Sequence, residues 1–163
     1  MELVKATMND VDSLIVFFHA AWEESGPDHL GFTGASEETI NEIASKEFLN
    51  KRLSNPDVSI YVVKDNDRVV GFASTRNINR DAVELSGIIV LESASGKGFG
   101  TRLIEEAISE ARKAGFHRIV VKTEVANERA INLYKKMGFA KVGETRENVE
   151  GTPVDIMILE RPL

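Results

Sequence analysis

The chain has 163 residues, 42% of them hydrophobic and 28% charged, with no cysteine and a formal net charge of −6. That length predicts one domain over 1–163, whose core needs neither disulfides nor metals. The missing thiols exclude disulfides, thiolate zinc sites and a cysteine nucleophile. The acidic balance argues against nucleic acid as a partner, which asks for a basic face, and mildly favours a cationic substrate. No targeting peptide is legible, and the apolar stretch from Leu14 to Trp22 is too short to span a bilayer. The expectation is a cytoplasmic protein with no membrane partner.

Leu3 to Thr7 reads as a first strand. Asn9 or Asp10 can cap a helix carrying Leu14, Ile15, Phe18 and Trp22, which Ser25-Gly26-Pro27 should stop. A loop from Asp28 to Ala35 leads to Ser36, the cap of a second helix. Glu37 and Glu38 fall in its first turn, where negative charge suits the helix dipole; attraction of a polyamine or lysine is the alternative use. Ile40, Ala44 and Phe48 are spaced for one face of this helix, and Asn55-Pro56 ends it.

Val58 to Lys64 and Arg68 to Thr75 form a hairpin about Asp65-Asn66-Asp67, and Ala82 to Leu91 pairs next. The end of that strand, Ile88-Ile89-Val90-Leu91, is continuously apolar, as in a strand buried on both faces. Alternation would put Glu84, Ser86, Ile88 and Val90 on one face. An amphipathic helix follows from Leu103 to Ala114, ended by Gly115. His117 to Thr123 is a strand, Asn127 caps a helix reaching Met137, and Phe139 to Glu144 and Val154 to Leu159 are the last strands, joined by a turn around Gly151. The order is mixed α/β. His19, His29 and His117 lack metal-ligand spacing, so no metal is expected.

Between the apolar strand and the amphipathic helix lies Ser95-Gly96-Lys97-Gly98-Phe99-Gly100-Thr101. Strand, glycine loop and helix start form a phosphate holder: glycines let the backbone approach a ligand, and the helix N-terminus adds partial positive charge. A nucleoside-triphosphate loop would need Ser or Thr after its lysine, but Gly98 follows Lys97. A dinucleotide fingerprint would need G-x-x-G spacing after the first G-x-G, and the run reads G-x-G-x-G.

Residues 95–144 closely resemble the core of the GNAT superfamily of acyl-CoA-dependent N-acetyltransferases. The family loop [R/Q]-x-x-G-x-[G/A] reads Ser95-Gly96-Lys97-Gly98-Phe99-Gly100, and the block Asn-x-x-Ala-x-x-x-Tyr-x-x-x-Gly-Phe is complete as Asn127, Ala130, Tyr134, Gly138 and Phe139. Ser95 replaces the usual Arg or Gln, which implies weaker or rearranged cofactor contacts.

The resemblance implies a single domain with a mixed, twisted β-sheet flanked by helices and a cofactor-binding core over about 82–145. Acetyl-CoA would lie where two neighbouring strands splay apart. Backbone N–H groups from Gly96 to Thr101 would cradle its pyrophosphate, aided by Lys97, and the strand edge Ile88-Ile89-Val90 would bond the pantetheine arm like an added strand. Asn127 and Ala130 would face that arm from the other side. Tyr134 would give a proton to the departing thiolate, and Glu84 would take one from the acceptor amine. With no cysteine, direct attack is favoured over a covalent acetyl-enzyme.

The acceptor would be a small amine, a polyamine or a protein amino group, with His29 and Phe32 as lesser contacts. Whether two copies pair is left open. An acyl-CoA-binding sensor without turnover is the alternative, and a nicotinamide- or nucleotide-dependent enzyme a more distant one.

Overall fold

The computed structural model describes residues 1–29 and 36–163, with the side chains of 25–29 excepted. His29 and Phe32 as acceptor contacts, and the loop leading into Ser36, therefore lie outside what is described.

Seven strands form one sheet in the order β1-β2-β3-β4-β5-β7-β6. β1 (Glu2–Lys5), β2 (Val58–Asp65), β3 (Arg68–Asn77) and β4 (Ala82–Val90) pair antiparallel in succession. β5 (Arg118–Glu124), β7 (Thr152–Pro162) and β6 (Ala140–Val149) form a second antiparallel group. The two groups meet where β4 pairs with β5 in parallel, so a crossover must join them. Helix α4 (Phe99–Lys113) is that crossover. It buries Phe99, Leu103, Ile104, Ala107, Ile108 and Ala111, a stripe of helical spacing. Each fully buried Leu or Ile in it contributes about 1.5–3 kcal/mol.

Adjacent residues of β3 show which helices cover which face. A Cβ on Gly71 would stand 3.3 Å from Leu103 of α4. The next residue, Phe72, stacks edge-on to Phe18 of α1 (Val11–His29), ring centroids 5.0 Å apart. The α4 face and the α1 face are thus opposite sides of the sheet.

The N-terminal entry is set one step earlier than the sequence suggests. Thr7 caps a 3₁₀ turn, Met8–Asp10, that runs directly into α1 and contains Asn9 and Asp10; Thr7 accepts from the Asn9 N–H, and Asp10 accepts from the Thr7 N–H in return. α1 then runs through Gly26 and Pro27 to His29. Pro27 withholds one hydrogen bond, but it sits so near the end that the helix stops within a turn of it.

The single helix expected from Ser36 to Ser54 is two, α2 (Glu37–Ile43) and α3 (Lys46–Ser54). The break is at Ser45, whose side chain accepts from the Phe48 N–H at 3.2 Å while its hydroxyl donates to the Glu42 carbonyl at 2.7 Å. A serine that satisfies both helix ends competes with continuous helix. Ser36 caps α2 as the sequence suggests. α2 is also tied to the far end of the chain: Glu150, in the turn between β6 and β7, accepts from Ser36 Oγ at 3.1 Å and from Thr39 Oγ1.

A further difference lies in β4. Its register against β3 shifts at Ser74/Thr75, where Gly87 faces Ser74 and Leu85 faces Thr75, leaving Ser86 as the extra residue of a bulge. Glu84 faces Arg76 and so shares the α1 side with Gly87 and Ile89, while Ile88 and Val90 face Ala73 and Gly71 on the α4 side. The expected common face of Glu84, Ile88 and Val90 does not form. Nor is the apolar end of β4 buried on both faces: Ala82–Leu85 are buried, and Ile88 and Val90 only half-buried. Among the described residues no helix is long and apolar enough to cross a membrane.

Candidate active site

The parallel ladder between β4 and β5 runs from Ala82–Arg118 to Leu85–Val121 and stops. β4 continues to Val90 beside β3, and β5 to Glu124 beside β7. The strands diverge beyond the ladder and leave one edge of each without a neighbour. A cavity of about 890 Å³ occupies this opening, lined on one wall by Gly87 to Val90 and on the other by Val121 to Glu124. The apolar end of β4 therefore faces a cleft.

At one end of the cleft lies the glycine loop. A short 3₁₀ turn, Glu92–Ala94, leads to Gly96 and Gly98, with φ of 74° and 82°. Space does not dictate these glycines, since a Cβ on either meets nothing within 4 Å; the left-handed backbone does. Gly98 caps α4 without any side-chain hydrogen bond. The first backbone bond of the helix is Arg102 N–H to the Gly98 carbonyl. The N–H groups of Gly96 to Thr101 find no acceptor among the described residues. Gly96, Lys97 and Gly98 are exposed and Phe99, Gly100 and Thr101 buried or half-buried, and free amides gathered at a helix start suit an external anion.

Gly100 makes the same point differently. It has helical backbone, and its Cβ would touch only Leu133 Cδ2 at 4.0 Å. Glycine inside a helix costs about 1 kcal/mol relative to alanine, and the protein's own packing does not ask for it. A ligand lying on the backbone would.

The opposite wall is α5 (Glu128–Lys136), capped by Asn127, whose Oδ1 accepts from the Ala130 N–H at 3.2 Å. Capping uses only the oxygen, so the Asn127 side-chain nitrogen has no protein partner among the described residues, and Asn127 and Ala130 both border the cavity. Tyr134, two turns on, is 4% exposed, its ring 5.7 Å from that of Phe139. Its hydroxyl has no protein partner among the described residues, yet no side-chain oxygen sealed from solvent lacks one, so the phenol oxygen opens on the cleft. Burial pushes its pKa up to about 12, which keeps the proton on at neutral pH.

Ser95, Gly96, Gly98, Phe99, Gly100 and Thr101 all border the cavity. Lys97 does not; its side chain is exposed outside the lining. Glu84 is 9% exposed and outside the lining, its Oε1 3.1 Å from Arg76 Nη2.

The far end of the cleft was not legible from motifs. It is walled by Phe18, Ile43, Phe48 and Phe72, with Ser74, Ser86 and Arg52 as its polar groups. The signal that would have found Arg52 is its place one turn after Phe48, a cation at a core-facing position. Arg129, Asn132 and Lys136 on α5 also border the cavity.

Residues 17–139 match the profile of the Acetyltransferase (GNAT) family. The chain belongs to that family. This GNAT chain is 29% identical over 85 residues to N-alpha-acetyltransferase 30 of Schizosaccharomyces pombe, a match covering 50% of the chain and 57% of that protein. The chain spans about half the length of the curated relatives it matches.

Its fold is that of GNAT crystal structures. Ribosomal-protein-alanine N-acetyltransferase from Brucella melitensis superposes with a TM-score of 0.81 at 24% identity, covering 100% of both chains. The PaiA N-acetyltransferase from Thermoplasma acidophilum, solved in complex with coenzyme A, does so with a TM-score of 0.75 at 23% identity, covering 99% and 98%. The mixed α/β sheet flanked by helices is thus the GNAT architecture that the sequence suggests.

Proposed function

We propose that this chain transfers the acetyl group of acetyl-CoA to an amine nitrogen by direct attack, and that it does so as one domain over 1–163. The observation that carries the reading is continuity. Unpartnered amides, an open strand edge and a free phenol follow one another along a single cleft. An elongated ligand with an anionic middle, an amide-rich arm and a sulfur at its tip matches that sequence of groups, and a GNAT relative of the same fold was solved with coenzyme A.

Acetyl-CoA, when bound, supplies an activated thioester carbonyl. The amides of Gly96 to Thr101 hold its pyrophosphate, with the helix dipole of α4 adding attraction. The free edge of β4 at Ile88, Ile89 and Val90 bonds the pantetheine amides and turns an N–H toward the carbonyl oxygen, where charge develops. Asn127 and Ala130 close the arm in from α5. The amine nitrogen forms a bond to the carbonyl carbon as the carbon–sulfur bond breaks. Glu84, acting through water, takes the proton that the ammonium must shed before attack; Tyr134 gives its proton to the departing thiolate and is restored by the second proton, which the acylated nitrogen loses.

Calorimetry with coenzyme A, followed by thiol release from acetyl-CoA over a panel of amines, tests this. Binding together with release above the rate without enzyme is the expected result. No heat at millimolar coenzyme A overturns the reading. Tight binding with no release for any amine would make the domain a non-catalytic acyl-CoA sensor instead.

A further inference from the structure

The acceptor end of the cleft has an electrical character of its own. Among the described residues that line it from α1 to β4, Arg52 alone is charged; the next charge along the lining is Glu92, in the turn before the glycine loop. The neighbouring walls are aromatic and aliphatic, and the other polar groups are the hydroxyls of Ser74 and Ser86, 2.8 Å apart. Arg52 Nη2 stands 3.5 Å from Ser74 Oγ, and its guanidinium carbon lies 5.8 Å from the centre of the Phe48 ring. It makes no ion pair among the described residues, whereas nearby Arg76 is taken by Glu84. Burial, and then the positive field of Arg76, push the Arg52 pKa down, so its cation is held where charge is costly.

From this juxtaposition we infer that the acceptor is an amine that also carries a carboxylate, seated on Arg52, with an apolar side chain against Phe48 and Phe72. The proposal rests on the acetyl-transfer reading and names the substrate class of that site. A guanidinium matches a carboxylate with two parallel hydrogen bonds, and Ser74 is placed to add a third. A single cation balances a monoanion; a phosphate dianion would ask for more positive charge than this end supplies. A polyamine would set a second ammonium against Arg52 in a partly desolvated site, where like charges repel strongly. The acidic net charge of the chain points toward cations at long range, but the local group decides what fits.

The bland role for Arg52 is to complement the dipole at the end of α3. That role would be indifferent to what the acceptor carries, and the test exploits the difference. Protein saturated with coenzyme A is titrated calorimetrically with N-acetylphenylalanine and with its decarboxylated counterpart, N-acetylphenethylamine. The acid is expected to bind about tenfold tighter or more. Arg52→Gln should remove that advantage and leave the neutral ligand and coenzyme A unaffected, while Arg52→Lys should restore only part of it. Equal binding of the two ligands, binding of neither, or equal weakening of both by Arg52→Gln would overturn the assignment. Thiol release with phenylalanine, phenethylamine and spermidine, run in parallel, separates the two proposals. Spermidine as preferred acceptor leaves acetyl transfer standing and removes the carboxylate; failure of coenzyme A to bind removes acetyl transfer itself.

Discussion

Tyr134 combines a buried ring with a reachable oxygen, and its chemistry follows from that combination. With the pKa raised to about 12 by burial, the phenol stays protonated throughout the working range. Replacement by Phe should lower kcat by about 10²-fold or more while coenzyme A affinity hardly changes. Stopped-flow thiol detection and calorimetry measure the two, and an unchanged kcat would take the donor role away. The wild-type pH–rate profile should show no descending limb from this group below pH 10, since ionisation begins only as pH nears the raised value.

Glu84 presents the opposite case, a carboxylate already engaged by Arg76. Below the pKa of the acceptor amine the ammonium must lose a proton, and above it none need be lost. Glu84→Gln should therefore lose activity at low pH and recover as pH rises past the amine pKa. Equal loss at every pH would make Glu84 a structural partner of Arg76. The residues of the site were legible where a backbone device demanded them. Gly96 and Gly98 need positive φ, and Asn127 needs to cap. Arg52 was not, because its spacing one turn after Phe48 marks only a core-facing cation, and its setting arises when β3 brings Ser74 beside it.

Among the elements, most strands were readable from alternation and turn residues, since period-two patterning and Asp65-Asn66-Asp67 act locally. The phase of β4 was not. A bulge is a property of two strands, and nothing in Glu84 to Val90 alone shows that Ser86 will be left over opposite Ser74 and Thr75. The Ser36–Ser54 helix was misread for a related reason. Helical spacing of Ile40, Ala44 and Phe48 persists across the break, while Ser45 makes its two hydrogen bonds to the backbone on either side. Ser45→Ala should cost about 1 kcal/mol, with the melting temperature falling by about 2–4 °C in a chain of this size. A melting temperature within error of wild type would show that α3 does not depend on its cap.

For the whole molecule, the short parallel ladder of β4 and β5 is the link between the two antiparallel groups of the sheet, and the cleft sits directly beyond it. A ligand that bonds both walls should stabilise the folded state. At a concentration 100 times its dissociation constant, coenzyme A should add about 2.7 kcal/mol and raise the melting temperature by roughly 5–10 °C. Differential scanning calorimetry with coenzyme A, NAD and ATP in parallel checks this; a shift with NAD or ATP but not coenzyme A would contradict the cleft's assignment.

The clasp of Glu150 on Ser36 and Thr39 bears on how the molecule is made. A helix of seven residues such as α2 does not persist unaided in water. One of its anchors is translated more than a hundred residues later, yet its last residue, Ile43, borders the far end of the cleft. During synthesis that mouth lacks this tie until the C-terminal hairpin is made, so the clasp is among the last contacts a nascent chain can form there.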